Sequence, residues 1–243
     1  MAKFSIDTAE SFAMKMRAIL QVSDNEPLNM KTVVRQLNIL TLYRPLSEQL
    51  WGLSLKSFDG SKKFMLVNSN SNKGSQHFTI AHELYHLYFD SNPEPHFCGN
   101  ESEKNPTERS ANMFASALLM PKGGLIKNIP NDEIKTGIIS VDTVIRLEYL
   151  FGVSHRTLVY RLKELNIAKP ICIEYLLSLS IKRESHLRGY DNSMYEPGNE
   201  GVIIGDYGTL AKKLFDDEII SEGHYWELLN LIGYGKSEDS IGR

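Results

Sequence analysis

The chain has 243 residues, 42% of them hydrophobic, and a formal net charge of −3. This composition supports a folded core, and the near balance of charges argues against a general affinity for nucleic acid. Two cysteines, Cys98 and Cys172, are too few and too far apart for a disulfide framework. The sequence has neither a secretory leader pattern nor an apolar run of membrane-spanning length, so we expect a soluble, cytoplasmic protein.

The first third of the chain predicts two helices followed by a small β-sheet. Apolar residues repeat at helical spacing over Ile6 to Val22 and over Met30 to Leu37. Short apolar runs then predict three strands, the last two joined by a hairpin turn at Asp59-Gly60: Leu40 to Tyr43, Trp51 to Phe58 and Lys63 to Asn68.

A polar loop, Asn68 to Gly74, leads into the motif His82-Glu83-Leu84-Tyr85-His86. An apolar stripe at helical spacing marks one side of this segment: Ile80, Leu84, Leu87 and Tyr88. Two histidines four residues apart share one helix face, so both imidazoles can reach one zinc ion. Glu83 then lies where it can take a proton from the attacking water. The alternative is a solvated helix face with two ordinary histidines.

A zinc site needs a third protein ligand, and the next predicted helix offers Glu108. Pro106 and Thr107 predict the start of this helix and Pro121 its end. Glu108 lies at the end of the apolar stripe, where a carboxylate is costly unless a positive group meets it. Asn112, one turn later, could hydrogen-bond a ligating histidine.

Alternatives to Glu108 remain at this stage. Glu108 is also explained as a first-turn acid favoured by the helix dipole. Glu101 and Glu103 are rival ligands in the loop from Ser91 to Asn105, which we expect at the surface. In the same loop we expect His96 to be solvated and Cys98 to be an inert cysteine.

The segment Val141 to Phe151, the turn Gly152-Val153-Ser154 and the segment His155 to Leu165 predict a helix-turn-helix arrangement. The second helix carries three basic residues, which keeps DNA binding open as an alternative: Arg156, Arg161 and Lys163. Most helix hairpins of this shape only pack against the rest of a protein.

Residues Lys169 to Arg243 carry no chemical motif. Tyr190 to Gly205 is rich in Gly, Asn and Pro and predicts a loop or linker. Leu210 to Phe215 and Ser221 to Ile232 predict a closing helical hairpin.

Two of these segments resemble the ImmA/IrrE family of zinc metallopeptidases. His77 to His86 is similar to the family pattern R-F-T-x-A-H-E-L-G-H, and Glu108 to Pro121 is similar to E-x-E-A-N-x-F-A-x-x-L-L-M-P. Phe151 to Leu165 is similar to a third family signature, and the three occur in the family's order over residues 10–166. The resemblance implies a gluzincin-like peptidase with His82, His86 and Glu108 as zinc ligands and Glu83 as base.

The chain departs from the family pattern at three positions. His77 stands where the family has Arg, Tyr85 where it has Gly, and Ser110 where it has a second Glu. None of these changes affects the expected ligands or the base. The Tyr85 ring either narrows access to the site or packs sideways.

The resemblance also implies a biological setting and a substrate. Family members work in bacteria and their mobile elements, often beside a helix-turn-helix repressor that they cleave or inactivate. It implies, too, that the strand before the active-site helix, Phe64 to Val67, forms the sheet edge that binds substrate. Four residues are candidates to donate a hydrogen bond to the developing oxyanion, and the sequence does not choose among them: Tyr85, His155, Tyr160 and Arg161.

We therefore expect a mostly helical α+β protein with a zincin-like peptidase core (residues 1–125). A helix-turn-helix-like segment (126–168) packs on that core, and a helical C-terminal extension (169–243) follows. The expected function is zinc-dependent, site-specific cleavage of a partner repressor or antitoxin, which regulates transcription. The alternative is a regulator or toxin component that acts by binding a protein or DNA without proteolysis.

Overall fold

A computed structural model of the protein describes residues 4–90, 98–99 and 105–232. Within these residues the chain forms twelve α-helices and five short strands, which confirms the predicted mostly helical α+β fold. None of the described helices has both the length and the apolar character needed to cross a bilayer.

Eight of the helices lie close to their predicted bounds, whereas four were not predicted: Lys122–Asn128, Asn131–Thr136, Pro170–Ser178 and Ile181–Leu187. Several helices begin at a residue whose side chain accepts a hydrogen bond from the first turn. Ser5, Asn29, Asn72, Asn105, Ser140, Ser154 and Ser221 are such caps. The helices are α1 (Ile6–Ile19), α2 (Met30–Gln36), α3 (Lys73–Tyr88), α4 (Pro106–Leu119), α5 (Lys122–Asn128), α6 (Asn131–Thr136), α7 (Val141–Phe151), α8 (His155–Glu164), α9 (Pro170–Ser178), α10 (Ile181–Leu187), α11 (Tyr207–Asp216) and α12 (Glu222–Leu231).

The five strands form one mixed sheet in the order β4-β2-β3-β1-β5. They are β1 (Ile39–Arg44), β2 (Leu50–Lys56), β3 (Lys63–Asn68), β4 (Cys98–Gly99) and β5 (Ile203–Ile204). β1 and β3 are parallel, and the other neighbours are antiparallel.

The expectation that β3 forms the sheet edge for substrate is wrong. β3 lies in the middle of the sheet and pairs with β1 on one side and with β2 on the other, so its backbone groups are already used. β2 is the strand nearer the edge, because only Leu50 and Gly52 pair with β4. Among the described residues, Leu53 to Lys56 have no partner strand on that side.

The segment from Tyr190 to Gly205 is more than the predicted loop. It contains a short 3-10 helix, Asn192–Tyr195, and β5, which pairs with β1. Between them, the carbonyl of Gly198 accepts a hydrogen bond from Gln76 Nε2 at 2.9 Å, and Asn199 Nδ2 donates to Gln76 Oε1 at 2.7 Å. The segment therefore ties the start of α3 to the far side of the sheet.

Helix α3 is buried on every side. It packs on β2 and β3 and on α4, which is in turn covered by α1. Its apolar stripe meets the sheet and α4 as the periodicity predicts, but the face that carries His82, Glu83 and His86 is also shielded from solvent. Fully buried apolar side chains of the sheet, of α4 and of α3 itself pack here: Met65, Val67, Phe114, Leu118, Ile80 and Leu84.

The helix-turn-helix pair packs as part of this core. Arg161 is 1% exposed; its Nε donates to the carbonyl of Met120 at 3.1 Å, and its guanidinium also pairs with Glu10 and Glu164. Arg161 is thus unavailable to a DNA backbone, which leaves only Arg156 and Lys163 as exposed basic residues of α8.

Candidate metal centre

Two helices bring the expected residues together. α3 supplies His82, Glu83 and His86, and α4 supplies Glu108 from its first turn; each of the four is at most 2% exposed. A carboxylate and two imidazoles buried side by side need a shared positive partner to offset the cost of desolvation.

The spacing of the donor atoms fits a tetrahedral metal ion. His82 Nε2 lies 3.2 Å from His86 Nε2 and 3.2 Å from Glu108 Oε2, and His86 Nε2 lies 3.4 Å from Glu108 Oε1. Four tetrahedral bonds of about 2.0–2.1 Å separate their donors by about 3.3–3.4 Å. The three side chains can therefore hold a metal ion without rearranging.

The outer nitrogen of each imidazole is fixed by a second side chain. His82 Nδ1 donates to Asn112 Oδ1 at 2.9 Å, and His86 Nδ1 donates to Asp90 Oδ2 at 3.0 Å. Because each Nδ1 carries the proton, each Nε2 presents a lone pair to the centre. Asp90 was not predicted as a partner of His86, although the two residues are four positions apart in the sequence.

One of the two carboxylate oxygens of Glu83 is held by a hydrogen bond. Its Oε2 accepts a hydrogen bond of 2.6 Å from the hydroxyl of Ser54 on β2, while Oε1 is buried with no hydrogen-bond partner among the described residues. Sequence reasoning missed Ser54; the available signal was a serine at an inward-facing position of a predicted strand.

Cys98 is not the remote loop cysteine that the sequence suggested. It lies in β4, is 1% exposed, and its Sγ belongs to a group with donor atoms of His82, His86 and Glu108 that all lie within 4.8 Å of one another. Burial first, and then the nearby carboxylates of Glu83 and Glu108, raise the pKa of the Cys98 thiol. The rival ligands Glu101 and Glu103, and His96, lie outside the described residues.

Tyr85 packs sideways. Its ring contacts aromatic rings of α1, α4 and the end of α3: Phe4, Phe12, Phe89 and Phe114. Burial raises the pKa of the Tyr85 hydroxyl. The ring therefore completes the core behind the histidines and does not narrow access to them.

A groove of about 670 Å³ runs beside the centre. Its walls come from β2, α3, α4 and α8 and include Trp51, Thr79, Asn112, Met113, Arg156 and Tyr160. Asn112 belongs to the groove wall and also accepts the hydrogen bond of His82 Nδ1, so the groove reaches the outer partner of His82.

Only one of the four suggested oxyanion donors lines this groove. Tyr160 is 50% exposed there. His155 instead bonds to Glu148 and to the Leu176 carbonyl, and Arg161 and Tyr85 are engaged in the core.

The sequence of residues 34–163 matches the family model of the IrrE N-terminal-like domain, peptidase family M78. No curated protein is significantly similar to the chain. The family match includes the helices of the metal centre and confirms the resemblance drawn from the three sequence motifs. Because it spans more than half of the 243 residues, the chain belongs to the M78 peptidases, the ImmA/IrrE family.

Proposed function

We propose that the protein is a zinc metalloendopeptidase whose ion is held by His82, His86 and Glu108. The observation that carries this proposal is the spacing of the three donors, 3.2 to 3.4 Å, beside Glu83, whose Oε1 has no hydrogen-bond partner in the part of the chain that the structure describes. Two nitrogen donors and one carboxylate are a ligand set typical of catalytic zinc in peptidases.

The chain's own residues suit peptide hydrolysis. A zinc ion bound here supplies Lewis acidity and makes water a stronger acid. Glu83 Oε1 accepts the proton of the attacking water and delivers it to the leaving amine, while Ser54 keeps Oε2 fixed. Tyr160 is the residue that we assign to donate a hydrogen bond to the developing oxyanion, because it faces the groove.

We assign the substrate backbone to the outer side of β2. Leu53 to Lys56 offer unpaired strand edge, and an extended peptide can pair there through main-chain hydrogen bonds. Side chains of the peptide would then enter the groove between β2 and α8. The site therefore suits an extended protein segment.

The partner that we propose is a helix-turn-helix repressor or antitoxin, as the family resemblance implies. Cleavage at one or a few sites would relieve repression, and the protein would regulate transcription in this way. The burial of Arg161 weakens the alternative in which the protein itself reads DNA.

The test is co-expression of the repressor with the wild type or with Glu83→Gln. The substitution keeps the size of the side chain and its bond to Ser54 but removes the base. We expect a discrete repressor fragment with the wild type only, cleavage at least about a hundredfold slower in the variant, and unchanged zinc content.

Two results would contradict the proposal. Cleavage by Glu83→Gln at the wild-type rate would exclude Glu83 as the base. Equal loss of repression with both proteins, while the repressor stays intact, would show that binding alone carries the function.

A further inference from the structure

A fourth side chain converges on the metal centre. The Cys98 thiol lies within 4.8 Å of donor atoms of His82, His86 and Glu108. A catalytic zinc site keeps one coordination position open for water, whereas four protein donors are typical of a closed site. Cys98 therefore competes with water for the fourth position.

The thiol also lies on the side of the base. It faces the carboxylates of both Glu83 and Glu108. Glu83 Oε1, the oxygen that we assign to the attacking water, is buried and has no hydrogen-bond partner among the described residues. The sulfur thus lies near both an expected ligand and the base.

Strand β2 positions both Cys98 and Glu83. Gly52 of β2 pairs with Cys98, and Ser54, two residues later on the same face, holds Glu83. A Cβ on Gly52 would lie 2.6 Å from the Leu66 carbonyl oxygen and 2.6 Å from Thr79 Cγ2, so only glycine lets β2 approach α3 this closely. The close approach brings β4, and with it Cys98, to the centre.

We propose that Cys98 is a fourth protein ligand that reversibly closes the metal centre and thereby slows the peptidase. This inference rests on the proposed zinc site. The thiol loses its proton to solvent as the sulfur–metal bond forms and water leaves. When water returns to the metal position and a proton returns to the sulfur, the exchange is reversed. Glu83 can then again take a proton from that water.

The experiment is cobalt substitution of the full chain, followed by absorption spectroscopy. Thiolate bound to Co²⁺ gives a sulfur-to-metal charge-transfer band in the near ultraviolet, which imidazole and carboxylate do not give. We expect this band in the wild type and its loss in Cys98→Ala and Cys98→Ser. Cys172→Ala is the matched control, because Cys172 is also buried but lies against the backbone of Ile139.

Two further measurements support the assignment. X-ray absorption at the zinc edge of the wild type should show a sulfur neighbour at about 2.3 Å, a measurement that needs no substitution and so does not depend on the folding of a variant. Cys98→Ser should bind zinc at least about tenfold more weakly, since loss of even an outer-shell partner costs that much. It should also cleave the repressor faster than the wild type does.

The outcomes separate the two proposals. Cobalt-loaded wild type without the charge-transfer band, or zinc-loaded wild type without a sulfur neighbour at about 2.3 Å, would overturn Cys98 ligation and leave the three-ligand peptidase site standing. Failure of the wild type to bind Co²⁺ or Zn²⁺ at all would overturn both.

Discussion

His82 and His86 have different outer partners, and this asymmetry would make them unequal as ligands of the proposed metal ion. The Asn112 amide oxygen only orients His82, whereas the Asp90 carboxylate adds a negative charge behind His86. A carboxylate partner makes an imidazole a stronger electron donor. We therefore infer that His86 is the stronger of the two nitrogen donors.

Replacing Glu108 with Ala should lower zinc affinity, because the centre loses its carboxylate ligand. We expect a loss of at least about a hundredfold, the upper end of the effect of an outer-shell change. Zinc titration against a competing chelator measures it. Glu101→Ala and Glu103→Ala are the controls. If Glu108→Ala binds zinc fully and either control does not bind zinc, Glu108 is wrongly assigned as the ligand.

The sequence predicted the side chains of the centre that follow helical periodicity. His82, Glu83 and His86 share one helix, and Glu108 and Asn112 lie one turn apart on the next. The places of Ser54 and Cys98 near the centre were not predicted, because both residues reach it through strand pairing. The register of β2 with β4 cannot be predicted from the spacing of neighbouring residues. The lone cysteine therefore looked inert.

At the scale of elements, the start of α3 is clamped against the turn between α7 and α8. His77, at the position of the family arginine, donates from Nδ1 to the Gly152 carbonyl at 2.8 Å. A Cβ on Gly74 would lie 2.4 Å from the backbone nitrogen of Ser154 and 2.6 Å from the carbonyl carbon of Val153. This contact sets the position of the helix that carries both histidines.

Gly74→Ala should therefore destabilise the protein, although alanine favours helices. We expect a loss of about 1–3 kcal/mol in the free energy of unfolding, the usual cost of overpacking. Chemical denaturation measures it. Gly223→Ala in α12 is the control: its new Cβ meets nothing closer than Ser221 Oγ at 4.0 Å, so it should be neutral or stabilise by up to about 1 kcal/mol. Equal effects would contradict the clamp.

A buried charge pair joins α7, α8 and α9. His155 Nδ1 lies 2.6 Å from Glu148 Oε1, His155 Nε2 donates to the Leu176 carbonyl, and the Tyr195 hydroxyl donates to Glu148 Oε2. Burial lowers the pKa of His155, but the hydrogen bond and charge of Glu148 outweigh burial, so the pKa is raised overall.

Protonated His155 should stabilise the fold. Because its pKa is raised in the folded state, this contribution is complete below about pH 6.5 and disappears as the pH rises through the folded value. The difference in unfolding free energy between the wild type and His155→Gln, both with chelator, should be larger at about pH 5.5 than at about pH 9. A difference that grows with pH would show that the histidine is neutral in the folded state.

Long, capped helices could be predicted from sequence, but the order of strands could not. The predicted bounds of α7 are those of the structure, because Ser140 caps its start and Gly152 ends it in a left-handed conformation. β5 has two residues, too few for a periodic signal, and 158 residues separate it from the end of its partner β1. β3 lies inside the sheet because it pairs with β1 on one side and with β2 on the other, and of these two pairings only the hairpin with β2 has a local sequence signal.

At the scale of the whole molecule, the C-terminal part divides into two kinds of packing. Cys172, Ile173, Leu176 and Ile204 belong to the main hydrophobic core. Helices α11 and α12 pack mainly on each other, and Leu210, Trp226 and Leu231 are more than two-fifths exposed. Trp226 of α12 therefore lies near the surface.

Truncation tests the predicted extension of residues 169–243. Deleting residues 206–243 should leave the midpoint of thermal unfolding within a few degrees and zinc binding intact, because the main core ends at Ile204. Deleting residues 169–243 removes several buried apolar side chains, each worth about 2–5 kcal/mol, and should abolish cooperative unfolding. A cooperative, zinc-binding product of the longer deletion would show that α9 to β5 is dispensable.

The pairing of β5 with β1 has a consequence for biosynthesis. β5 follows the end of β1 by 158 residues, which at about 5–20 residues per second amounts to about 8–30 s of translation. During that interval the metal ligands have all been made, yet one edge of β1 is unpaired and the Gly198–Asn199 tether on α3 is missing. An open edge of this kind invites pairing with other chains. A nascent chain that met zinc at this stage would assemble its metal centre before its sheet was complete. Because the edge of β1 stays unpaired during this interval, slow or interrupted translation is the condition under which we expect this protein to be most prone to aggregation.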